Sequence, residues 1–282
     1  MSAHSPQTTR RLAAPDISAR KGGVPIVCLT AYSAPVAALL DDQCDLLLVG
    51  DSVGMVVHGM DNTLGVTLDM MILHAQAVIR GSKRAMVVVD MPFGSYEGSP
   101  EVAFANAARV MKETGAQAIK VEGGLGIAQT IAYLVERGIP VMGHVGLRPQ
   151  AVLVDGGFRA KGKCKAEGDL IVSEALAIAA AGAFAIVVEG TAEAVAQRIT
   201  ESVAVPTIGI GASCACDGQI LVTDDMIGMF EWVPKFVRTY GDQRGLIARS
   251  VAEYADDVRN RRFPGAGEVY FPLSRRDKLQ TV

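Results

Sequence analysis

The sequence predicts a single α/β domain over residues 1–282: a (β/α)8 TIM barrel with a short N-terminal helix and a C-terminal helical tail. Eight short apolar segments alternate with alanine-rich segments of helical character. Strict alternation of this kind gives parallel strands joined by right-handed crossovers. The length of 282 residues is large for one domain but ordinary for an α/β barrel. Eight strands within about 200 residues therefore favour a closed barrel over an open sheet.

The predicted strands carry apolar residues at consecutive positions, as strands buried on both faces do. They are residues 25–30, 45–50, 85–90, 117–122, 139–145, 184–189, 206–211 and 218–223. The helices predicted between them are residues 34–42, 67–80, 100–114, 126–137, 169–182 and 191–202. Ser99 followed by Pro100 is typical of a helix start, and Gly115, Gly138 and Gly182 each stand just after a predicted helix.

Three segments fall outside the regular alternation. Residues 1–23 form a polar lead-in with one short helix in "PDISARK", and residues 240–262 predict a long charged helix followed by an extended "FPGAGEVYFPL" segment. The connection after the fifth strand, residues 148–169, is unusually long. Because long loops in compact domains are often functional, residues 151–168 are a candidate lid.

Composition limits the class of partner. The chain is 50% hydrophobic and 20% charged with a net charge of −3, which gives no electrostatic reason to expect nucleic acid or an anionic membrane surface. No segment approaches the ~18–20 apolar residues of a membrane span, and "MSAHSPQTTRRLAAPD" lacks the apolar region of a secretory signal. Five irregularly spaced cysteines argue against a disulfide framework. We therefore expect a soluble cytoplasmic protein that acts on small molecules.

Acidic residues recur where predicted strands end. They are Asp51, Asp90, Glu122 and Glu189. In a (β/α)8 barrel the carboxyl ends of all strands meet at one mouth, where catalytic residues lie. His144 falls at the same end of the fifth strand. Lys120 shares a strand face with Glu122, because residues two apart on a strand point the same way.

Each of these residues also has an ordinary structural interpretation. Asp51 or Asp90 could cap the turn after its strand. Lys120 and Glu122 could form a structural ion pair, and His144 could be a core histidine. All of these interpretations would have to hold at once, whereas several carboxylates in one mouth would raise one another's pKa. A hard divalent cation such as Mg²⁺ explains the whole set more economically.

The residues alone predict a reaction class. Asp51 and Asp90 are predicted as direct Mg²⁺ ligands, and Glu122 as a third ligand or one that acts through bound water. Glu189 has apolar neighbours in "FAIVVEGTA", and burial would raise its pKa toward that of a usable general base. A metal, a buried glutamate and a lysine suggest proton abstraction next to a carbonyl whose oxygen the metal holds.

Eight motifs follow one another over roughly residues 10–265. They are "LTAY" (29–32), "LLVGDSVGMVVHG" (47–59), "TLGVTLDMMILH" (63–74), "VDMPFGSY" (89–96), "KVEGG" (120–124), "GHVGLRPQ" (143–150), "GGFRAKGK" (156–163) and "IGIGASCACDGQILV" (208–222). In content and order they resemble the ketopantoate hydroxymethyltransferase (3-methyl-2-oxobutanoate hydroxymethyltransferase) family.

The resemblance implies an activity and a site. The activity is a Mg²⁺-dependent aldol-type transfer of a hydroxymethyl group from 5,10-methylenetetrahydrofolate to 3-methyl-2-oxobutanoate, giving 2-dehydropantoate in pantothenate (coenzyme A precursor) biosynthesis. The implied residues are Asp51, Asp90 and Glu122 for the metal; Asp51, Ser52, Asp90 and Lys120 for the substrate; Glu189 as proton acceptor; and His144 beside the substrate. The family also implies a homo-oligomer, commonly a homodecamer.

The sequence departs from the family pattern at two positions. Ser33 stands where the family usually has aspartate, and it can still cap the helix that follows. Arg148 stands where many relatives have threonine, and it either approaches the glutamate tail of the folate or is simply solvated. Neither change affects the proposed chemical core.

Two other functions are compatible with such a barrel. The first is a carbon–carbon lyase or mutase of the phosphoenolpyruvate mutase/isocitrate lyase type. Those enzymes usually carry a cysteine or a lysine-rich motif on a mouth loop, and "GKCKAEGD" around Cys164 lacks that pattern. The second is a catalytically silent barrel that serves for binding or assembly, which the presence of all the acids disfavours.

Overall fold

The protein is a closed barrel of eight parallel strands in the computed structural model, which describes residues 10–271. Each strand pairs with its neighbours in sequence, and the last strand pairs with the first. The strands are β1 (Ile26–Thr30), β2 (Leu46–Val49), β3 (Met86–Asp90), β4 (Ala118–Lys120), β5 (Val141–Gly146), β6 (Ala185–Glu189), β7 (Thr207–Ile210) and β8 (Gly218–Leu221). The predicted barrel is confirmed, with strand ends shifted by one or two residues.

Helices occupy the connections between strands from β1 to β7, as the alternation predicts, and further helices precede β1 and follow β8. They are α1 (Ala14–Ser18), α2 (Ala34–Leu40), α3 (Val53–Val56), α4 (Leu68–Gly81), α5 (Pro100–Thr114), α6 (Ala128–Glu136), α7 (Val152–Asp155), α8 (Lys165–Ala180), α9 (Glu193–Ser202), α10 (Thr223–Met226) and α11 (Gln243–Arg259). The Ser99 hydroxyl accepts a hydrogen bond of 3.3 Å from the Val102 N–H and caps α5. The left-handed backbone of Gly115, with φ of +78°, ends that helix.

The long connection after β5 is not the irregular loop that the sequence predicts. It contains a 3-10 turn, Pro149–Ala151, and the short helix α7, and α8 begins at Lys165, four residues earlier than expected. The Glu167 carboxylate accepts a hydrogen bond of 3.0 Å from the Lys163 N–H, which would otherwise lack a partner before the helix. An ion pair between Lys165 and Asp169, one turn apart, supports the same start.

Side chains alternate between two apolar layers along each strand. In β3, Val87 and Val89 belong to a cluster that includes buried residues of the surrounding helices. Met86 and Val88 belong to a second cluster made largely of strand residues, which fills the barrel interior. Every second side chain of a strand points into the barrel interior. Charged residues that continue the series of Met86 and Val88 therefore point inward at the carboxyl end.

The amino end of the barrel is packed by α1, which confirms the predicted short N-terminal helix. Ala14 and Ile17 are buried in the interior cluster. The Ser18 hydroxyl donates a hydrogen bond of 3.1 Å to the Phe184 carbonyl oxygen, just before β6. The barrel interior is therefore packed with side chains, and α1 covers its amino end.

The described residues form two compact units. The first contains the barrel, up to Asp224, together with Pro234–Val237. The second contains Asp225–Val233 and the described residues from Arg238 onward, with α11 as its long helix. The single-domain prediction stays a prediction.

The C-terminal helix is confirmed, whereas the segment after it is only partly as predicted. Gly265 and Glu268 form a turn closed by a hydrogen bond of 3.2 Å between the Glu268 N–H and the Gly265 carbonyl, so the described part is not continuously extended. Residues 272 and 273 of the predicted segment lie outside the described residues. Within residues 10–271, no helix is long and apolar enough to cross a membrane.

Candidate active site

The interior alternation continues into charged residues at the carboxyl ends of β3 to β6. Asp90 follows Val88, Lys120 follows Ala118, and Glu189 follows Val187, each two residues further along its strand. The strand register places Asp90 directly beside Lys120 on the adjacent strands β3 and β4. Side chains distant in sequence thus meet at one mouth because they keep the inward-facing parity of their strands.

A buried ion pair forms one side of this mouth. The Lys120 ammonium donates a hydrogen bond to the Asp90 carboxylate, and both side chains are about 5% exposed. The other Asp90 oxygen accepts a hydrogen bond of 3.1 Å from the Asp51 N–H. Asp90 therefore joins the end of β4 to the turn that follows β2.

The charges in this cluster perturb one another strongly. Burial raises the pKa of the Asp51 carboxyl well above its usual range, and the neighbouring Asp90 and Glu122 carboxylates raise it further. Burial alone would lower the pKa of Lys120, but the carboxylates of Asp90, Glu122 and Asp51 outweigh that effect and raise it. Lys120 therefore stays positively charged. The Asp51 carboxyl group would ionise if a further positive charge were bound beside it.

His144 lies between the two glutamates. Its Nδ1 is 3.5 Å from Glu122 Oε1, and its Nε2 is 3.4 Å from Glu189 Oε2. His144 is 1% exposed, and neither of its ring nitrogens nor Glu122 Oε1 has a hydrogen-bond partner among the described residues. Burial would raise the pKa of Glu122, but His144 and Lys120 outweigh that effect and lower it.

Glu189 has the pKa of a general base. Burial raises its pKa from 4.5 to about 7, against the lowering effect of His144. The side chain is 18% exposed, so it remains accessible from the mouth. A carboxylate with a pKa near neutrality can both accept and release a proton at working pH.

Three neutral side chains at the mouth were not identified from the sequence. The Tyr32 hydroxyl and the Ser52 hydroxyl share a hydrogen bond of 2.8 Å. The Tyr96 hydroxyl donates to the side chain of Gln150 at 2.7 Å, and Gln150 in turn contacts Asp51. The strand-end rule could not find these residues, because a neutral side chain on a loop gives no charge signal in the sequence.

The oxygen ligands at the mouth fit a divalent cation held by two carboxylates. The carboxylates of Asp51 and Asp90 are buried and could serve as oxygen ligands of the metal. The raised pKa of Asp51 indicates that the site holds too little positive charge to keep this carboxylate ionised. Among residues 10–271, no group of three or more His, Cys, Asp and Glu side chains is close enough to hold a metal ion. Since Glu122 Oε2 accepts a hydrogen bond of 3.1 Å from the Gln150 N–H, its predicted action through bound water fits better than direct ligation.

All of the sequence-predicted site residues lie at this mouth. They are Asp51, Ser52, Asp90, Lys120, Glu122, His144 and Glu189. Their placement agrees with the strand-end argument, while their individual roles stay predictions.

Comparison with known proteins identifies one family. A sequence model of the family described as ketopantoate hydroxymethyltransferase matches residues 11–266. The chain is 73% identical over 271 residues to a Phenylobacterium zucineum (strain HLK1) protein named 3-methyl-2-oxobutanoate hydroxymethyltransferase, covering 96% of this chain and 98% of that protein. It is 70% identical, with the same coverage, to a protein of that name from Caulobacter vibrioides (strain NA1000 / CB15N).

Solved structures with a similar fold are more distant in sequence. A 2,3-dimethylmalate lyase, described as a PEP mutase/isocitrate lyase superfamily member, matches with a TM-score of 0.59 at 15% identity, over 96% of this chain and 91% of that chain. A phosphonopyruvate hydrolase in complex with oxalate and Mg²⁺ matches with a TM-score of 0.55 at 14% identity, over 95% of this chain and 94% of that chain. These likenesses support the barrel fold alone.

Proposed function

The chain belongs to the ketopantoate hydroxymethyltransferase family, and we propose that it transfers a one-carbon unit from 5,10-methylenetetrahydrofolate to C3 of 3-methyl-2-oxobutanoate. The C3–H bond breaks, and a bond forms between C3 and the methylene carbon of the donor. Water supplies the hydroxyl oxygen, and tetrahydrofolate leaves. The product is 2-dehydropantoate, a precursor in pantothenate synthesis.

The observation that supports this chemistry most is the raised pKa of Glu189 at the mouth. With a pKa of about 7, its carboxylate is basic enough to take the C3 proton and acidic enough to release it again. His144 Nε2, 3.4 Å from Glu189 Oε2, keeps that pKa from rising further. A keto acid bound across the mouth would present its C3–H to this oxygen.

Lys120, Ser52 and the carboxylates of Asp51 and Asp90 suit the two oxygen-bearing groups of the keto acid. Lys120, kept positive by its carboxylate neighbours, attracts the substrate carboxylate. The Ser52 hydroxyl, held by Tyr32 at 2.8 Å, offers a hydrogen bond to the same group. Mg²⁺ bound to Asp51 and Asp90 would supply the Lewis acidity that stabilises the developing negative charge.

We also propose that the protein acts in the cytoplasm as a homo-oligomer. All five cysteines are free thiols in the structure, in keeping with a reducing compartment. The proposed homodecamer follows from the family. The proposed partners remain small molecules, with no nucleic acid and no membrane.

Product formation tests the proposal directly. The protein is incubated with 3-methyl-2-oxobutanoate, 5,10-methylenetetrahydrofolate and Mg²⁺, and 2-dehydropantoate is followed by mass spectrometry. We expect product only when all three are present, and loss of product on chelation of the metal that added Mg²⁺ restores.

The competing functions give different results in the same assay. A lyase of the kind found among the fold neighbours would instead cleave 2,3-dimethylmalate without folate. A silent barrel would convert neither substrate. Either result would overturn the proposed function.

A further inference from the structure

Gln150 occupies an unusual position beside the carboxylates. It lies in the 3-10 turn just after β5, is 8% exposed, and uses both ends of its amide. Its Nε2 donates to Asp51 Oδ2 at 2.9 Å and to the Met91 carbonyl oxygen at 3.0 Å. Its backbone N–H donates to Glu122 Oε2 at 3.1 Å. One residue therefore contacts two of the three acids on this side of the mouth.

The orientation of this amide is fixed by its surroundings. Nε2 must face Asp51 and Met91, because the Met91 carbonyl oxygen can only accept a hydrogen bond. Oε1 then accepts a hydrogen bond of 2.7 Å from the Tyr96 hydroxyl. The Tyr96 oxygen in turn accepts a hydrogen bond of 3.2 Å from the Glu122 N–H. The hydrogen-bond chain runs from the backbone of Glu122 through Tyr96 and Gln150 to the carboxylate of Asp51.

We infer that Gln150 is a positioning residue that holds the Asp51 and Glu122 carboxylates in the arrangement that binds the divalent cation and the keto acid. Tyr96 fixes the direction of its amide. Residues that orient metal-binding groups in this way act through the ligand without touching the reacting atoms. The inference rests on the proposed function, since that function gives Asp51 its role.

Three variants separate orientation from space filling. Gln150→Met keeps the length of the side chain and removes its hydrogen bonds. Gln150→Glu keeps the shape and the acceptor for Tyr96, but places an oxygen against Asp51 and Met91. Tyr96→Phe removes only the hydroxyl, and it provides a second route to the same test if Gln150→Met does not fold.

A matched control lies at the other end of the barrel. Gln117, just before β4, accepts a hydrogen bond of 2.9 Å from the Val87 N–H and donates one of 2.6 Å to the Gly115 carbonyl. Gln117→Met therefore loses two amide hydrogen bonds, as Gln150→Met loses its own, but far from the carboxylates. Any general effect of losing the hydrogen bonds of an amide side chain would appear in both variants.

Two measurements on the full-length protein give the answer. Mg²⁺ binding is measured by isothermal titration with MgCl₂ in the absence of substrates, and kcat and KM are measured for 3-methyl-2-oxobutanoate. We expect Gln150→Met to weaken Mg²⁺ binding and lower kcat, each by about 10- to 100-fold, with little change in Tm. Gln150→Glu should bind the keto acid at least as poorly as Gln150→Met. Tyr96→Phe should show a smaller loss of Mg²⁺ affinity and kcat, and Gln117→Met should match the wild type in both.

The outcomes distinguish failure of this inference from failure of the proposed function. If the wild type forms product while Gln150→Met and Tyr96→Phe keep Mg²⁺ affinity and kcat within about twofold, the positioning role is wrong and the function stands. A drop in Tm with both parameters unchanged would make Gln150 merely structural and would also overturn the inference. If the wild type neither binds Mg²⁺ nor forms product, the proposed function fails and the inference fails with it.

Discussion

Glu189 combines a functional advantage with a cost in stability. Its folded-state pKa of about 7 lies above the 4.5 of an ordinary glutamate, so the folded protein binds a proton that the unfolded chain releases between those values. Stability from this group is fully present below about pH 4.5 and is lost as pH rises through 7. Ionised Glu189 is therefore destabilising at pH 8.

Replacement of Glu189 by glutamine should relieve that cost. We expect Glu189→Gln to be more stable than the wild type by about 2–3 kcal/mol at pH 8, and to lose most of that advantage at pH 5. Urea unfolding at the two pH values measures the difference. Glu136→Gln, at a side chain 75% exposed, is the matched control and should change neither value. An equal gain at both pH values would contradict the raised pKa.

The charged residues of the site were predictable from strand ends and Ser52 from the family resemblance, whereas Tyr32, Tyr96 and Gln150 were not. Asp90, Lys120 and Glu189 stand at strand ends. The barrel topology predicts that side chains at these ends lie close together. Tyr96 and Gln150 reach the same place from loops, through hydrogen bonds between segments 54 residues apart. No periodic pattern marks such contacts, since each depends on how two loops fold over the strand ends.

The elements themselves followed from the hydrophobic pattern. Runs of consecutive apolar residues predicted each strand, and glycines after helices marked the turns that Gly115, Gly138 and Gly182 make with positive φ. The connection after β5 was harder to predict. A four-residue helix such as α7 is too short for a period of 3.6 residues to be detected.

Gly81 allows two helices to approach closely. It is the last residue of α4, and a Cβ placed there would lie 2.2 Å from the Ala34 carbonyl oxygen at the start of α2. Because that contact is with backbone, we expect Gly81→Ala to destabilise the protein by about 1–3 kcal/mol in urea unfolding. At Gly126, a Cβ would meet nothing within 4 Å, so Gly126→Ala serves as the control. Equal stability of the two variants would show that the helices can separate freely.

The α7 region remains a candidate lid. Leu153 and Val154 on α7 are 77% and 90% exposed, although both are apolar. Beyond the helix, the Lys161 N–H donates a hydrogen bond of 2.8 Å to the Gly190 carbonyl, next to the proposed base. A segment tied at this point is well placed to cover the mouth when substrate binds.

Closure would bury the apolar face of α7. We expect the double variant Leu153→Ser, Val154→Ser to raise KM for the keto acid by about tenfold while Tm stays constant. Leu39→Ser, at a leucine 80% exposed on α2, is the control and should leave KM unchanged. Steady-state kinetics of the double variant that match the wild type would argue against a lid.

Helix α11 carries a row of apolar side chains that are largely exposed. None of its residues is buried, and its apolar side chains are 43–59% exposed. They are Leu246, Ile247, Val251, Tyr254 and Val258. Exposed apolar surface of this extent is typical of an interface, which agrees with the homodecamer expected from the family.

A charge on that face should therefore weaken assembly. We expect the wild type to sediment as a homodecamer, and Val251→Asp to shift it to smaller species at micromolar concentration. Ala252→Asp places the same charge about 100° around the helix from Val251, away from the apolar row, and should leave the mass unchanged. Analytical ultracentrifugation measures both, and a wild-type monomer or an unaffected Val251→Asp assembly would contradict the expectation.

In the proposed reaction, Glu189 removes the C3 proton of the keto acid at this mouth. Exchange of that proton in D₂O, followed by NMR with 3-methyl-2-oxobutanoate and Mg²⁺, with and without tetrahydrofolate, tests this step. This role of Glu189 predicts exchange by the wild type whose rate rises with pH through about 7, as the Glu189 carboxylate ionises, and no exchange by Glu189→Gln. Exchange that persists undiminished in Glu189→Gln, or that is absent from the wild type even with tetrahydrofolate, would contradict it.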